Sequence, residues 1–273
     1  MPPRRPQKPR PKRRGDPQHK KGARGHGAPH AGHGERTLWI YGRHAAAAAI
    51  ANPNREIHRV CGTKQGLQWL AKALDQDIGV GAIEPMASDA LAALLTNGAV
   101  HQGLAVQADR LPVSSLEDAC APAEPGRPVV VLDQITDPQN IGAIFRSAAA
   151  FGARAVIVHE RRTPALAGAL AKAAAGAVET MACCRVVNVA RALSALREMG
   201  YFAAGLAGDG DTLIQDLPTA QPMAVVLGAE GDGLRPLVAK SCDGLYRIEI
   251  APNSESLNVS NAAAVALFVA STV

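Results

Sequence analysis

From Leu38 onward, short apolar runs alternate with longer stretches in which apolar residues recur at helical spacing. In the first half this predicts a helix over 44–51 that ends at Asn52-Pro53, a strand over 56–61 and a helix over 64–74. A strand near 80–83 follows, then a helix over 90–95 with Ser88 or Asp89 as its cap and Asn97-Gly98 as its stop, and a strand over 104–107. The second half predicts strands over 128–132, 155–158, 201–206, 223–227 and 245–250. Helices are expected over 138–151, 166–174 and 191–199, with a closing helix from about Asn258 to Ala270. That closing segment is apolar around its circumference and should be buried, in the domain or at a subunit interface. Short apolar strands alternating with helices imply an α/β class, a Rossmann-like, mainly parallel sheet covered on both faces.

Composition divides the chain. Residues 1–35 are rich in Pro, Gly, Arg, Lys and His and cannot bury enough apolar surface to order themselves, so a disordered arm is expected. The arm holds ten basic and two acidic residues, about +8, whereas residues 36–273 carry about −3. The pI of 9.1 therefore belongs to the arm, which can hold a phosphate backbone or serve as a solubilising extension. Residues 36–107 read as a small α/β domain, and 108–127, with Pro112, Pro122, Pro125 and Gly126, as a linker or a long surface connection. Residues 128–273 form the second α/β unit.

No apolar segment follows the basic run, which excludes an ordinary secretory signal, and the apolar stretch 262–270 is too short to span a bilayer. The five cysteines are odd in number and irregularly spaced, which fits reduced thiols in the cytoplasm. Cys183-Cys184 is either a redox pair or, more simply, part of a half-buried strand or loop. The histidines of the arm lack a scaffold, so no metal site is expected. No Walker loop occurs, and no Gly-x-Gly-x-x-Gly follows Leu132, which weakens the nucleotidase and dinucleotide readings.

Three stretches carry candidate chemistry, each just beyond a predicted strand, where ligands gather in open α/β sheets. In the first, Asp133 to Arg146, Asp137 can cap a helix and Pro138 suits its first position. There Asn140 offers donor and acceptor, and Arg146 a fork for phosphate. Composition alone supports equally a plain cap and a solvated arginine. In the second, Leu227-Gly-Ala-Glu-Gly-Asp-Gly-Leu234, glycines around Glu230 allow close backbone approach to a ligand, or make a tight turn. In the third, Ile248 to Asn261, Ser256 or Asn258 can cap the closing helix and leave the other free for contacts.

In this order the three stretches resemble the SpoU/TrmH family of RNA 2'-O-ribose methyltransferases, over 128–273. Asp137-Pro-Gln-Asn140 through Arg146 matches the family's first motif, Leu227–Leu234 the second and Ser256-Leu-Asn-Val-Ser260 the third. One departure stands out: relatives commonly carry Ile-Pro-Met-x-Gly where this chain has Ile248-Glu-Ile-Ala-Pro252. The preceding domain looks like the ribosomal-protein-like RNA-binding module of some members. Gly42-Arg-His44, Asn52-Pro-Asn-Arg55 and His101-Gln-Gly103 resemble the bacterial subgroup that modifies a guanosine in the peptidyl-transferase loop of 23S rRNA.

The resemblance implies a C-terminal SPOUT trefoil knot, a rare exception to unthreaded topology. It implies S-adenosylmethionine as cofactor, held at Gly228, Ile248 and Leu257, with structured RNA as substrate. Arg146 would orient a phosphate and assist loss of the hydroxyl proton, with Glu230 orienting that arginine, and Asn140, Ser256 and Asn258 would shape the site. A homodimer is expected, with no membrane and no metal partner. A tRNA ribose methyltransferase and a non-catalytic RNA-binding protein are the alternatives.

Overall fold

The computed structural model describes residues 37–74 and 82–272. The basic arm and the first residues of the strand expected near 80–83 lie outside the described residues.

The first sheet is built from β1 (Thr37–Tyr41), β2 (Ile57–Gly62), β3 (Ala82–Pro85) and β4 (Leu104–Asp109) in the order β1-β4-β2-β3. Strand β4 runs antiparallel to both its neighbours, and β2 pairs parallel with β3. Helices α1 (Arg43–Ala51), α2 (Lys64–Leu74) and α3 (Ser88–Ala93) cover it. Alternation sorts the side chains by face. Ile40, Val60, Leu104 and Val106 meet Ala45, Ala46, Ala49 and Leu70 on one side, while Tyr41, Cys61 and Ala105 meet Leu91 on the other. The expected cap of α3 is not formed: Ala87 holds that position, Ser88 is the first helical residue, and Asp89 lies in the first turn, where its charge complements the helix dipole.

After α4 (Leu116–Cys120) come β5 (Val129–Leu132), α5 (Pro138–Ala150), β6 (Ala155–His159), α6 (Gly168–Ala173) and α7 (Ala177–Thr180). Then follow β7 (Ala182–Val186), α8 (Val189–Glu198), β8 (Phe202–Leu206), β9 (Thr212–Leu213), β10 (Met223–Leu227), α9 (Pro236–Ser241), β11 (Gly244–Arg247) and α10 (Val259–Ser271). The seven strands form one sheet in the order β7-β6-β5-β10-β8-β11-β9, parallel throughout. Each central strand is apolar on both faces, as burial from both sides requires. Val130, Leu132, Val225 and Leu227 pack toward α5 and α10, while Val129, Val131, Ala224 and Val226 pack toward α8. This sheet and its closing helix are consistent with a trefoil knot.

One expectation is corrected. The strand predicted to reach Ile250 stops at Arg247, because its outer neighbour β9 supplies only Thr212 and Leu213 as partners. Ile248 and Ile250 turn into a cavity instead. Within the single chain the closing helix is buried on one side. Val259, Ala263, Ala266, Leu267 and Ala270 pack inward, but Phe268 is 58% exposed and Val265 is 38% exposed, since nothing among the described residues covers that sector.

Both sheets lie within one compact unit. In the 108–127 segment, α4 packs on the second core, and Tyr201 Oη donates to Cys120 O at 2.7 Å. A second tie runs from the small sheet to α7. Arg55 Nη2 lies 2.6 Å from Glu179 Oε1, with the two side chains 1% and 3% exposed. Asn52 Nδ2 donates to Glu179 Oε2 at 2.9 Å, and Arg55 Nη1 donates to Asp109 O at 2.7 Å. The Asn52-Pro-Asn-Arg55 motif is thus a clasp. It holds the small sheet to α7, so the 108–127 segment is not its only tether.

Candidate active site

Three loops leave the carboxyl ends of β5, β10 and β11 and meet at one place. The first opens α5: Asp137 caps it by accepting from Gln139 N at 3.0 Å, and Pro138 occupies its first turn. This fixes Asn140, which is buried. The second is the glycine loop. An added Cβ on Gly228 would sit 2.2 Å from Gly233 C and 2.4 Å from Leu234 N, so the loop closes on itself only with glycine there. The third ends where Asn258 caps α10 by accepting from Ser260 N at 2.9 Å.

One network joins them. Asn140 Nδ2 donates to Glu230 Oε1 at 3.1 Å. Asn258 Nδ2 donates to the same oxygen at 2.7 Å and to Asn140 Oδ1 at 3.1 Å. Glu230 therefore holds two asparagines, where the sequence suggested it would orient Arg146. A carboxylate accepting both bonds ties the three loops together with charge-assisted contacts.

Beside this network is a cavity of about 540 Å³. Gly228, Glu230, Ile248, Ser256, Leu257 and Asn258 line it, over a floor that includes Leu206, Leu227 and Tyr246. The phenol of Tyr246 is raised from its ordinary value by burial. Apolar walls with a few convergent polar groups suit a ligand that is part aromatic and part charged. The glycine cradle at Gly228 admits such a group against the backbone. The residues present therefore fit an adenosyl cofactor. Arg146 does not line the cavity. It is exposed on α5, six residues past Asn140 and about 120° around the helix.

Sequence reasoning gave Asp133 and Arg235 no role. Asp133 immediately follows β5 with 0% exposure, and Arg235 immediately precedes α9. Arg235 donates from Nε to Asp133 Oδ1 at 2.8 Å and from its backbone N to Oδ2 at 3.0 Å, with Nη2 at 2.6 Å. In turn Asp133 N donates to Leu227 O at 2.8 Å. The pair clamps both ends of the glycine loop. A charged residue closing an otherwise apolar strand was the available signal.

The SpoU rRNA Methylase family model matches residues 127–268, the whole knotted sheet with its three loops. The chain belongs to this family. It is 38% identical over 237 residues to the 23S rRNA (guanosine-2'-O-)-methyltransferase RlmB of Vibrio cholerae, covering 85% of this chain and 95% of that protein. It is 34% identical over 242 residues to an uncharacterized tRNA/rRNA methyltransferase of Synechocystis, covering 84% of this chain but only 61% of that protein. The fold matches that of the SpoU methyltransferase AviRb from Streptomyces viridochromogenes in complex with AdoMet, at a TM-score of 0.71 and 24% identity, covering 86% of this chain and 89% of that one. Among the described residues no helix is long and apolar enough to cross a membrane, and no cluster of three His, Cys, Asp or Glu could hold a metal.

Proposed function

We propose that this chain transfers a methyl group from S-adenosylmethionine to a ribose 2'-hydroxyl of structured RNA in the cytoplasm, and that its target is a guanosine in the peptidyl-transferase loop of 23S rRNA. The observation that carries the reading is the Asn140–Glu230–Asn258 network beside a glycine-cradled cavity, in a chain of the SpoU family. S-adenosylmethionine supplies a methyl group already activated by its sulfonium charge. The protein's task is then alignment and help with the hydroxyl proton. Gly228, Ile248 and Leu257 hold the cofactor along the cavity wall, while Asn140, Glu230, Ser256 and Asn258 shape the ribose side. A guanidinium makes a poor base, so Arg146 on exposed α5 orients an RNA phosphate that assists deprotonation.

The active form is a homodimer in this reading. Phe268 and Val265 are exposed on α10, and Phe151 meets Phe268 edge-on at 6.0 Å between ring centres, leaving an apolar patch that a second copy can cover. The test is to delete the gene and profile ribose methylation across rRNA and tRNA. The expected result is loss of one 2'-O-methylguanosine in 23S rRNA, restored by the wild-type gene. Loss at a tRNA position would select the tRNA reading, and no loss in either RNA would reject the enzymatic one.

A further inference from the structure

A second cavity, of about 550 Å³, lies in the small sheet's half of the molecule, lined by Arg43, Thr63, Lys64, Gln65, Ser88, Gln102 and Gly103. Every lining residue is polar or glycine, two are cationic and none is acidic. Elsewhere on this sheet Arg55 pairs with Glu179 and Arg59 with Glu84. Arg43 and Lys64 form no ion pair among the described residues.

Arg43 is nevertheless held in place. Its backbone N donates to Gln102 Oε1 at 3.1 Å, and its Nε donates to Gln102 O at 3.3 Å. Its guanidinium carbon lies 5.6 Å from the centre of the Trp69 ring. Gln102 makes these contacts from a left-handed backbone conformation, φ 53°, which side-chain-bearing residues seldom adopt. Two short motifs distant in sequence, Gly42-Arg-His44 and His101-Gln-Gly103, thus exist side by side to present one pre-set guanidinium. Pre-setting a cation that has no anionic partner makes sense if the anion comes from outside.

The knotted sheet contributes as well. An added Cβ on Gly42 would lie 3.1 Å from Lys172 Cγ and 3.4 Å from Gln102 Oε1, so the stem of Lys172 on α6 passes the residue that precedes Arg43, on the side where Gln102 of the cavity lining stands. Lys172 too forms no ion pair among the described residues. Helix α6 packs on α5 as closely as backbones allow: a Cβ on Gly142 would meet Leu170 O at 2.4 Å. Arg146 lies one turn on from Gly142, on the neighbouring sector of α5. Three cations, Arg43, Lys64 and Lys172, are thus gathered from the small sheet and from α6.

We propose that Arg43, Lys64 and Lys172 form a seat for the phosphate backbone of the substrate RNA, straddling the joint between the two sheets. The proposal rests on RNA being the substrate. Gln65, Thr63 and Ser88 supply further donors and acceptors for the sugar and phosphate oxygens of the same strand. RNA is favoured over an acidic protein segment because the chain belongs to the SpoU rRNA Methylase family and the cations are accompanied by neutral donors and acceptors suited to sugar and phosphate oxygens.

The test uses the full-length chain and a fluorescent 40-nucleotide RNA hairpin, with its affinity measured over a salt series. Arg43→Ala, Lys64→Ala and Lys172→Ala should each reduce the slope of log affinity against log salt by about 0.7–0.9. The triple variant should bind at least 30-fold more weakly, with unchanged affinity for S-adenosylmethionine and unchanged melting temperature. An unchanged slope and affinity in the triple variant would overturn the seat, as would equal competition by polyglutamate at matched charge. Wild-type protein that binds the hairpin but methylates no cellular RNA would overturn the functional reading while leaving the seat intact.

Discussion

The clamp between Asp133 and Arg235 makes a prediction that depends on an asymmetry of burial. Asp133 is fully buried, whereas the side chain of Arg235 is 40% exposed. In Arg235→Ala the carboxylate keeps only the backbone N–H of residue 235 and loses both side-chain contacts, yet it cannot move to water. Breaking a buried pair in this way costs about 3–5 kcal/mol. Water entering the space left by a half-exposed arginine lowers that to about 2–4 kcal/mol. In Asp133→Ala the arginine swings into solvent, and the main loss is one unpaired backbone N–H, about 1–3 kcal/mol.

Arg235→Ala should therefore be the more damaging change, and Asp133→Ala/Arg235→Ala should be no worse than Asp133→Ala alone. For a protein of this size the melting temperature of Arg235→Ala should fall by roughly 5–15 °C. Thermal unfolding of all four proteins, each with a calorimetric titration of S-adenosylmethionine, reads both stability and loop order. Cofactor affinity should fall in the same rank order as stability, because the clamp joins β5 to the far end of the glycine loop. Additive effects of the two single substitutions, or a harmless Arg235→Ala, would refute the argument.

Gly228→Ala should abolish measurable S-adenosylmethionine binding in calorimetry, since its methyl group would overlap backbone atoms of Gly233 at 2.2 Å. Arg146→Ala should slow methyl transfer at least 100-fold in single-turnover assays (~2.7 kcal/mol) while leaving cofactor affinity within a factor of two. Glu179→Ala should destabilise the protein by about 3–5 kcal/mol by stranding Arg55, and hydrogen exchange should then quicken in β1 and β4 before it does in β5 and β10. Phe268→Asp should convert the proposed dimer to monomer in light scattering across a concentration series; a wild-type protein that is monomeric and fully active would remove the homodimer from the reading.

What could be read from the sequence followed from local rules. Strands β5 and β10 are unbroken apolar runs bounded by polar loops, and Asp137-Pro138 marks the start of α5. Helix α2 spans the predicted residues, because its apolar positions recur at helical spacing between Thr63 and Leu74. Elements that exist only through tertiary context were missed. Strand β9 has two residues and is defined by pairing with β11, and α7 is a single turn placed by Gly176 and the clasp to Arg55. Helix α9 carried a usable signal in Pro236 at its start. At the site, Asn140, Glu230 and Asn258 are separated by 90 and 28 residues, and no periodicity links them. Their meeting was legible only through the order of three family motifs. The bond from Arg235 to Asp133 spans 102 residues and belongs to no motif considered, so it came only with the fold.

Helix α6 gives the two halves of the molecule a common frame. On one side Gly142 lets it touch the helix that carries Asn140 and Arg146, and on the other Ala167 and Ala171 enter the core of the small sheet. Next to it, Gly176 approaches Ala48 of α1 so closely that an added Cβ would lie 2.8 Å from it, and Glu179 receives Arg55. Small residues at each crossing remove the slack that longer side chains would leave, and the buried ion pair fixes the register between the sheets. RNA gripped at the small sheet would therefore reach the knotted sheet at a set distance, and orientation of the reacting ribose would be settled partly by contacts remote from it. Binding energy from such remote contacts can serve to align the hydroxyl with the methyl group. Weakening the clasp should consequently lower the rate of methyl transfer on RNA even when both cavities keep their own ligands.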